Sequence, residues 1–520
     1  MVYKLMKIKK ISYFIFAALA ASMLSAEINL PRIFSDDMLI QRQKPVKIWG
    51  TADANAAVEV EFAGAKKSAK AGNDGKWSVL LDPLEASKEG RDMKFYENGK
   101  LSRTIKDVIV GEVWVLGGQS NMEMTYTWRN LKPEGNPDIR YFSNPAPSIS
   151  ETPQSDTTAG SQWKKADAKN AQSFSMVGYA FAQKLSKDLG VPVGLVYTAR
   201  GGTRMETWIP FDAMDKSKYL KSRRAEYFEK LPEWKNGGYE KAAKAHKERM
   251  EQHKKAVAKA KAENKRPPTM PWELTLAPRP QTPITNVYAP AMHWNGKVAP
   301  LAGYTARGFL WYQGESNQGD SEALFVRQFR ILVDAWRAAW GDNSMPWISV
   351  ELASYGYGKD WGKVRAAQVL AAGSVDNSYI VCASDTGEKT DIHPADKGPI
   401  SERLEKVAMR RVYDDSSVED RSPVFAGATF NTGNAVVKFG AFSGKLVGKG
   451  EPRGFELKID GKWIPAKSEI DSDSTVVVSA PNSHSIPEGV RYLWKSWAKP
   501  DAWLYTDGGL PAFGFEKENK

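Results

Sequence analysis

The chain is short of several things that usually announce a chemistry. It has one cysteine, Cys382, in 520 residues, so no internal disulfide can form. It has five histidines, few enough for a general base to be sought by elimination. Past residue 24 no apolar run approaches the roughly 20 residues that a membrane-spanning helix needs. A G-x-S-x-G elbow is missing around the serine of Gly118-Gln119-Ser120-Asn121-Met122, because Met122 stands where glycine is required. Asp385, Glu388, Asp391 and His393 follow no strong metal-ligand spacing, and no metal or cofactor is expected.

What is present begins with a leader. Lys4, Lys7, Lys9 and Lys10 precede an apolar, small-residue stretch from Ile11 to Leu24, with alanines suited to cleavage up to Ala26. Residues 1–26 therefore read as a signal peptide, with a secreted or periplasmic mature protein and no stable membrane insertion after cleavage. No cysteine lies near the cleavage region to carry a lipid. The net charge of +12 gathers between Asp212 and Arg266, where basic residues outnumber acidic ones by about eight. Tyr239 to Lys265 is charged and alanine-rich, the pattern of a solvated helix, so no nucleic-acid partner is expected.

Three textures follow one another along the chain. Residues 27–108 carry short β-runs with tight turns such as Asn73-Asp74-Gly75-Lys76, the pattern of a β-sandwich-like unit. Residues 109–420 alternate strands and helices and predict an α/β domain, a parallel sheet flanked by helices, interrupted at about 211–280 by a basic helical insertion. Residues 421–520 return to strands and turns, a second β-sandwich-like unit. Within the middle region a long polar loop is expected between Met122 and Phe174.

Four polar segments fall just past expected strands. Ser120 follows Val113 to Leu116, and Arg200-Gly201-Gly202-Thr203-Arg204 follows Val193 to Thr198. Gln313-Gly314-Glu315-Ser316-Asn317 follows Gly308 to Tyr312, and Asp385 through His393 follows Tyr379 to Ala383. In a parallel sheet all four reach one edge, where ligands bind. Serine attacks only when a base takes its proton. His246 and His253 lie in the insertion, His484 lies in the last unit, and His293 precedes a strand, which leaves His393 as base. Asp391, two residues earlier on an extended segment, is the candidate acid that orients it, with Asp385 and Glu315 as substitutes. Donors for a developing oxyanion are the N–H of Ser120, the N–H of Gly201 or Gly202, and the Gln313 amide. Arg200 and Arg204 are candidate substrate contacts, and Glu315, Asn317 and Asp385 are candidate supporting residues.

Gly118-Gln119-Ser120-Asn121-Met122 resembles the first block of SGNH hydrolases, in the variant carried by the sialate O-acetylesterase family. The likeness extends to Pro31 through Gln41, to Gln313-Gly314-Glu315-Ser316, and to Gly489 through Trp494 with Gly509 through Phe513, and is weakest in 211–280. It implies an SGNH-type fold and a carbohydrate acetylesterase acting through Ser120, His393 and an acyl-serine, with Gly201 and Gln313 in the oxyanion positions. The spacing Asp391-x-His393 departs from the D-x-x-H common in that superfamily. The substrate implied is an acetylated carbohydrate, sialic acid foremost. An acetylxylan-type polysaccharide esterase and a noncatalytic glycan-binding protein are the alternatives.

Overall fold

The computed structural model describes residues 28–145, 148–359, 361–480 and 484–519. The expected leader lies outside them. In chain order the central unit consists of β1 (Lys100–Gly118), the single turn α1 (Ser120–Glu123), β2 (Asn136–Ser143), β3 (Gln162–Ala166), α2 (Met176–Leu189), β4 (Val193–Tyr197), β5 (Gly308–Tyr312), α3 (Glu322–Trp340), β6 (Trp347–Val350), α4 (Trp361–Gly373), β7 (Ser378–Val381) and α5 (Gly398–Val412). Neighbouring strands run β7-β6-β5-β1-β4-β2-β3, and every pair is parallel except β2 with β3.

Burial on both faces explains why the central strands are nearly unbroken apolar runs. Along β1, Val113 and Val115 enter a core with Phe309, Trp311, Trp336 and Trp347, while Trp114 and Leu116 enter a second core with Phe181, Leu185, Leu310 and Leu404. The sheet thus separates an α3/α4 layer from an α2/α5 layer. The layer helices start and stop on local chemistry. Ser175 and Ser321 accept backbone N–H groups at the starts of α2 and α3, and Gly190 and Gly341 close them with φ of 70° and 72°.

The expected polar loop before Phe174 contains β2 and β3. The apolar residues of β2 do not alternate, and a proline stands second in it, so the strand is defined by pairing with β4, Ile139 opposite Val193, rather than by local pattern. The position 108/109 falls inside β1, where the strand leaves its antiparallel partner Ser87–Glu97 and takes up β4 and β5.

The C-terminal unit holds two four-stranded antiparallel sheets around Phe439, Leu457, Val476, Val478, Val490 and Phe515. The insertion is a helix pair, Lys218–Glu233 and Tyr239–Ala262, turning at Gly237 with φ of 93°. The second helix has no buried residue. Among the described residues no helix is long and apolar enough to cross a membrane.

Candidate active site

The four polar segments leave the carboxyl ends of β1, β4, β5 and β7 on one edge of the sheet. Gly118, at φ of 128°, makes the turn out of β1, and a Cβ there would overlap the Tyr312 carbonyl oxygen. The next amide, Gln119, donates to that same oxygen at 2.9 Å, and Arg200 N donates to Gly118 O at 3.0 Å. Three strand ends are thereby laced together. Ser120 opens α1, where the first peptide N–H groups of a helix have no partner within it. The residue is 9% exposed, and its hydroxyl makes no hydrogen bond among the described residues.

Asn121, buried beside it, joins three of the segments. Its Nδ2 donates to Glu315 Oε1 at 2.5 Å and to the Ile392 carbonyl at 3.1 Å, and its Oδ1 accepts from Lys397 Nζ at 2.6 Å. Residues 120 and 393 are therefore the sequence neighbours of two directly bonded groups. Burial pushes the Glu315 carboxyl up from its ordinary value, and burial brings the Lys397 amine down to about 7. Lys397 Nζ also lies 5.4 Å from the centre of the Tyr312 ring.

Asp391 and His393 share the adjacent loop. Asp391 Oδ1 accepts the His393 backbone N–H at 2.8 Å and stands 3.7 Å from Nδ1, while Oδ2 accepts from Arg129 Nη2 at 2.8 Å. Burial pushes the Asp391 carboxyl up, but Arg129 and the His393 amide outweigh it and hold the group below its usual range. For His393 burial dominates over the attraction of Asp391, and the imidazole sits below 6.5. Trp128, 52% exposed, packs against the imidazole with ring centres 5.1 Å apart. The C-terminal unit braces this loop, since Lys499 Nζ donates to the Gly387 carbonyl at 3.1 Å and Tyr505 reaches Asp385 at 3.4 Å.

Several expected roles change on contact with the geometry. Both amide hydrogens of Gln313 are spent, on the Thr203 carbonyl at 3.1 Å and Asn317 Oδ1 at 2.7 Å, so it ties two loops instead of facing an oxyanion. Asn317, fully buried, also accepts Met205 N and donates to Asp320. Gly201 does border Ser120, since a Cβ on it would lie 3.3 Å from Ser120 Cβ, but its N–H donates to Glu123 Oε2 at 2.5 Å. That donor is free for another anion only when Glu123 withdraws. Arg200 holds the other oxygen of Glu123 at 3.2 Å. Gly202, at φ of 74°, faces Val287, whose side chain lies 3.9 Å from where a Cβ would stand. Asp385 is gripped by both terminal nitrogens of Arg403 at 2.7 Å, which removes it as a partner of His393.

Arg204 is a clamp rather than a substrate contact. It reaches Glu206 at 2.9 Å, Asp320 at 2.7 Å and the Ser316 carbonyl at 2.8 Å. Arg204→Ala removes the nearest cation from two largely buried carboxylates, leaving Asp320 with Asn317 and Gln328 and Glu206 with Tyr219, and is expected to lower the unfolding free energy by about 3 kcal/mol, read by urea denaturation. KM for 4-nitrophenyl acetate is expected to stay at the parent value. His293 is fully buried against Thr207 Oγ1 at 2.8 Å and Trp208. Among the described residues no three His, Cys, Asp or Glu side chains gather as a metal-binding group.

Sequence reasoning passes over Glu123, Asn121, Trp128, Arg129 and Lys397. For Asn121 a signal existed, because it stands inside the quoted Gly-Gln-Ser-Asn-Met block.

Comparison with known proteins adds to this geometry. The family model for carbohydrate esterases, sialic acid-specific acetylesterase, matches residues 110–261 and 283–401. The sialate O-acetylesterase of Rattus norvegicus is 26% identical over 92% of this chain and 92% of its own length. That of Homo sapiens is 23% identical over 89% and 87%. A solved carbohydrate acetylesterase from Xanthomonas citri superposes with a TM-score of 0.76 at 27% identity, covering 95% of this chain and 100% of that one.

Proposed function

The chain belongs to the sialic acid-specific acetylesterase family of carbohydrate esterases, and from that premise we propose that it is a serine-dependent sialate O-acetylesterase exported through its N-terminal leader. Ser120 Oγ attacks the acetyl carbonyl carbon while His393 takes its proton. Nδ1 of the imidazole is turned to Asp391, which leaves Nε2 for the serine. The oxyanion rests on the Ser120 N–H and, once Glu123 moves aside, on that of Gly201. His393 then protonates the departing sugar oxygen, and water releases acetate from the acyl-serine.

The observation that carries this reading is the 3.1 Å bond from Asn121 to the Ile392 carbonyl, which joins the serine segment to the histidine segment across 271 positions of sequence. Trp128 beside His393 supports a sugar as the leaving group, since an exposed aromatic face can stack on a pyranose.

The test is acetate release from 9-O-acetylated sialic acid, acetylated xylan and 4-nitrophenyl acetate. Preference in kcat/KM for the sialic acid ester is the expected result. Preference for acetylated xylan would move the assignment to the polysaccharide esterases. Because only the neutral imidazole can act as base, and burial lowers its pKa, the acid limb of kcat/KM is expected to have its midpoint below 6.5. A limb centred above 6.5 would show that another group governs the reaction.

A further inference from the structure

A groove of about 820 Å³ lies between the N-terminal unit and the segment before β5, lined by none of the residues around Ser120. Ala299, Pro300 and Ala302 form one wall. They precede β5, and on the facing ribbon Lys47 N donates at 3.0 Å to Thr305 Oγ1, three residues ahead of that strand, which puts the groove toward the amino end of β5, away from the edge that carries Ser120.

The opposite wall is a two-stranded ribbon, Val46–Thr51 paired antiparallel with Lys76–Leu81. Strand alternation turns Val46, Ile48 and Gly50 into the core and leaves Lys47, Trp49 and Thr51 on the other face, opposite Leu80, Ser78 and Lys76. Trp49 is half-buried, with its ring fixed edge-on against the fully buried Phe34 at 4.6 Å. Lys47 Nζ lies 5.7 Å from the Trp49 ring centre. Lys47 and Lys70 have no ion-pair partner among the described residues, and both line the groove. Among the described residues the one carboxylate that lines it, Asp156, is occupied by Arg32, whose backbone N–H donates to Oδ1 at 2.8 Å. Lys76 is held by Asp74 at 2.9 Å. A rigid, half-open indole with hydroxyls beside it, one unneutralised ammonium group near its ring and a second on the groove wall suits a flat, hydroxylated ligand carrying negative charge.

We propose that this groove is a second carbohydrate site that binds a carboxylate-bearing oligosaccharide, with a sugar ring on Trp49 and its carboxylate between Lys47 and Lys70. It goes beyond the esterase reading and stands apart from it, since it anchors a chain while acetyl groups are removed at the other edge of the sheet.

The test uses the full chain carrying Ser120→Ala, so that no ester is turned over. It is titrated calorimetrically at low salt with a sialic acid trimer, a galacturonic acid trimer and xylotriose. At least one acidic trimer is expected to bind, and the one preferred identifies the sugar. Trp49→Ala and the pair Lys47→Ala with Lys70→Ala are each expected to weaken that trimer about tenfold. The same groove substitutions in the Ser120 protein are expected to keep the parent rate on 4-nitrophenyl acetate. Undiminished binding in the groove variants, no binding of either acidic trimer, or xylotriose binding as tightly as both would each overturn the proposal. A protein that binds the trimer but hydrolyses no ester would sink the esterase reading and leave this one standing.

Discussion

Ser120→Ala is expected to lower kcat on 4-nitrophenyl acetate by about 10⁴-fold or more, with Tm unchanged. The hydroxyl makes no hydrogen bond among the described residues, so its removal costs the fold little. The loss is expected to be large because neither Asn121 nor Cys382 can take the place of the serine. Asn121, the next residue, has its amide committed to Glu315 and Ile392 and its carbonyl oxygen to Lys397. Cys382 is fully buried, with its thiol pushed well above its ordinary value by burial. A Ser120→Ala protein that kept full turnover would remove the serine from the mechanism altogether.

Asn121→Leu is expected to act on both stability and rate. Leucine shares the γ-branched skeleton of asparagine but offers neither donor nor acceptor. It leaves the Lys397 amine, the Glu315 carboxylate and the Ile392 carbonyl without their partners in a buried setting, at a cost of about 3 kcal/mol in urea denaturation. It also unties the histidine loop from the serine turn. A displacement of His393 by a fraction of an ångström is expected to lower kcat about a hundredfold with little change in KM. A variant with parent kcat and parent Tm would show that the bonds around Asn121 hold nothing in place.

The order of strands and helices from β4 to α5 is readable in the sequence because each central strand is covered on both faces and each helix carries one apolar stripe. The gathering of the Ser120, Gly201, Gln313 and His393 segments on one edge follows from the same topology. What each side chain does once there depends on partners far along the chain, and these leave no local pattern. Arg204 reads as an exposed loop arginine until Asp320, 116 positions later, meets it. Gln313 looks like a free amide until the Thr203 carbonyl, 110 positions earlier, takes one of its hydrogens. Glu123 holds the Gly201 N–H across 78 positions. β2 is hidden for the same reason, since its pairing with β4 outweighs its irregular pattern.

The claim beneath all of this is that Ser120 is the group that becomes acylated, driven by His393. Reaction with a serine-directed organophosphonate, followed by peptide mapping in the parent and in His393→Ala, tests it directly. The expected result is one label per chain, on the peptide that contains Ser120, formed rapidly in the parent and orders of magnitude more slowly without the imidazole. A label on any other residue, or equal labelling rates in the two proteins, would contradict it.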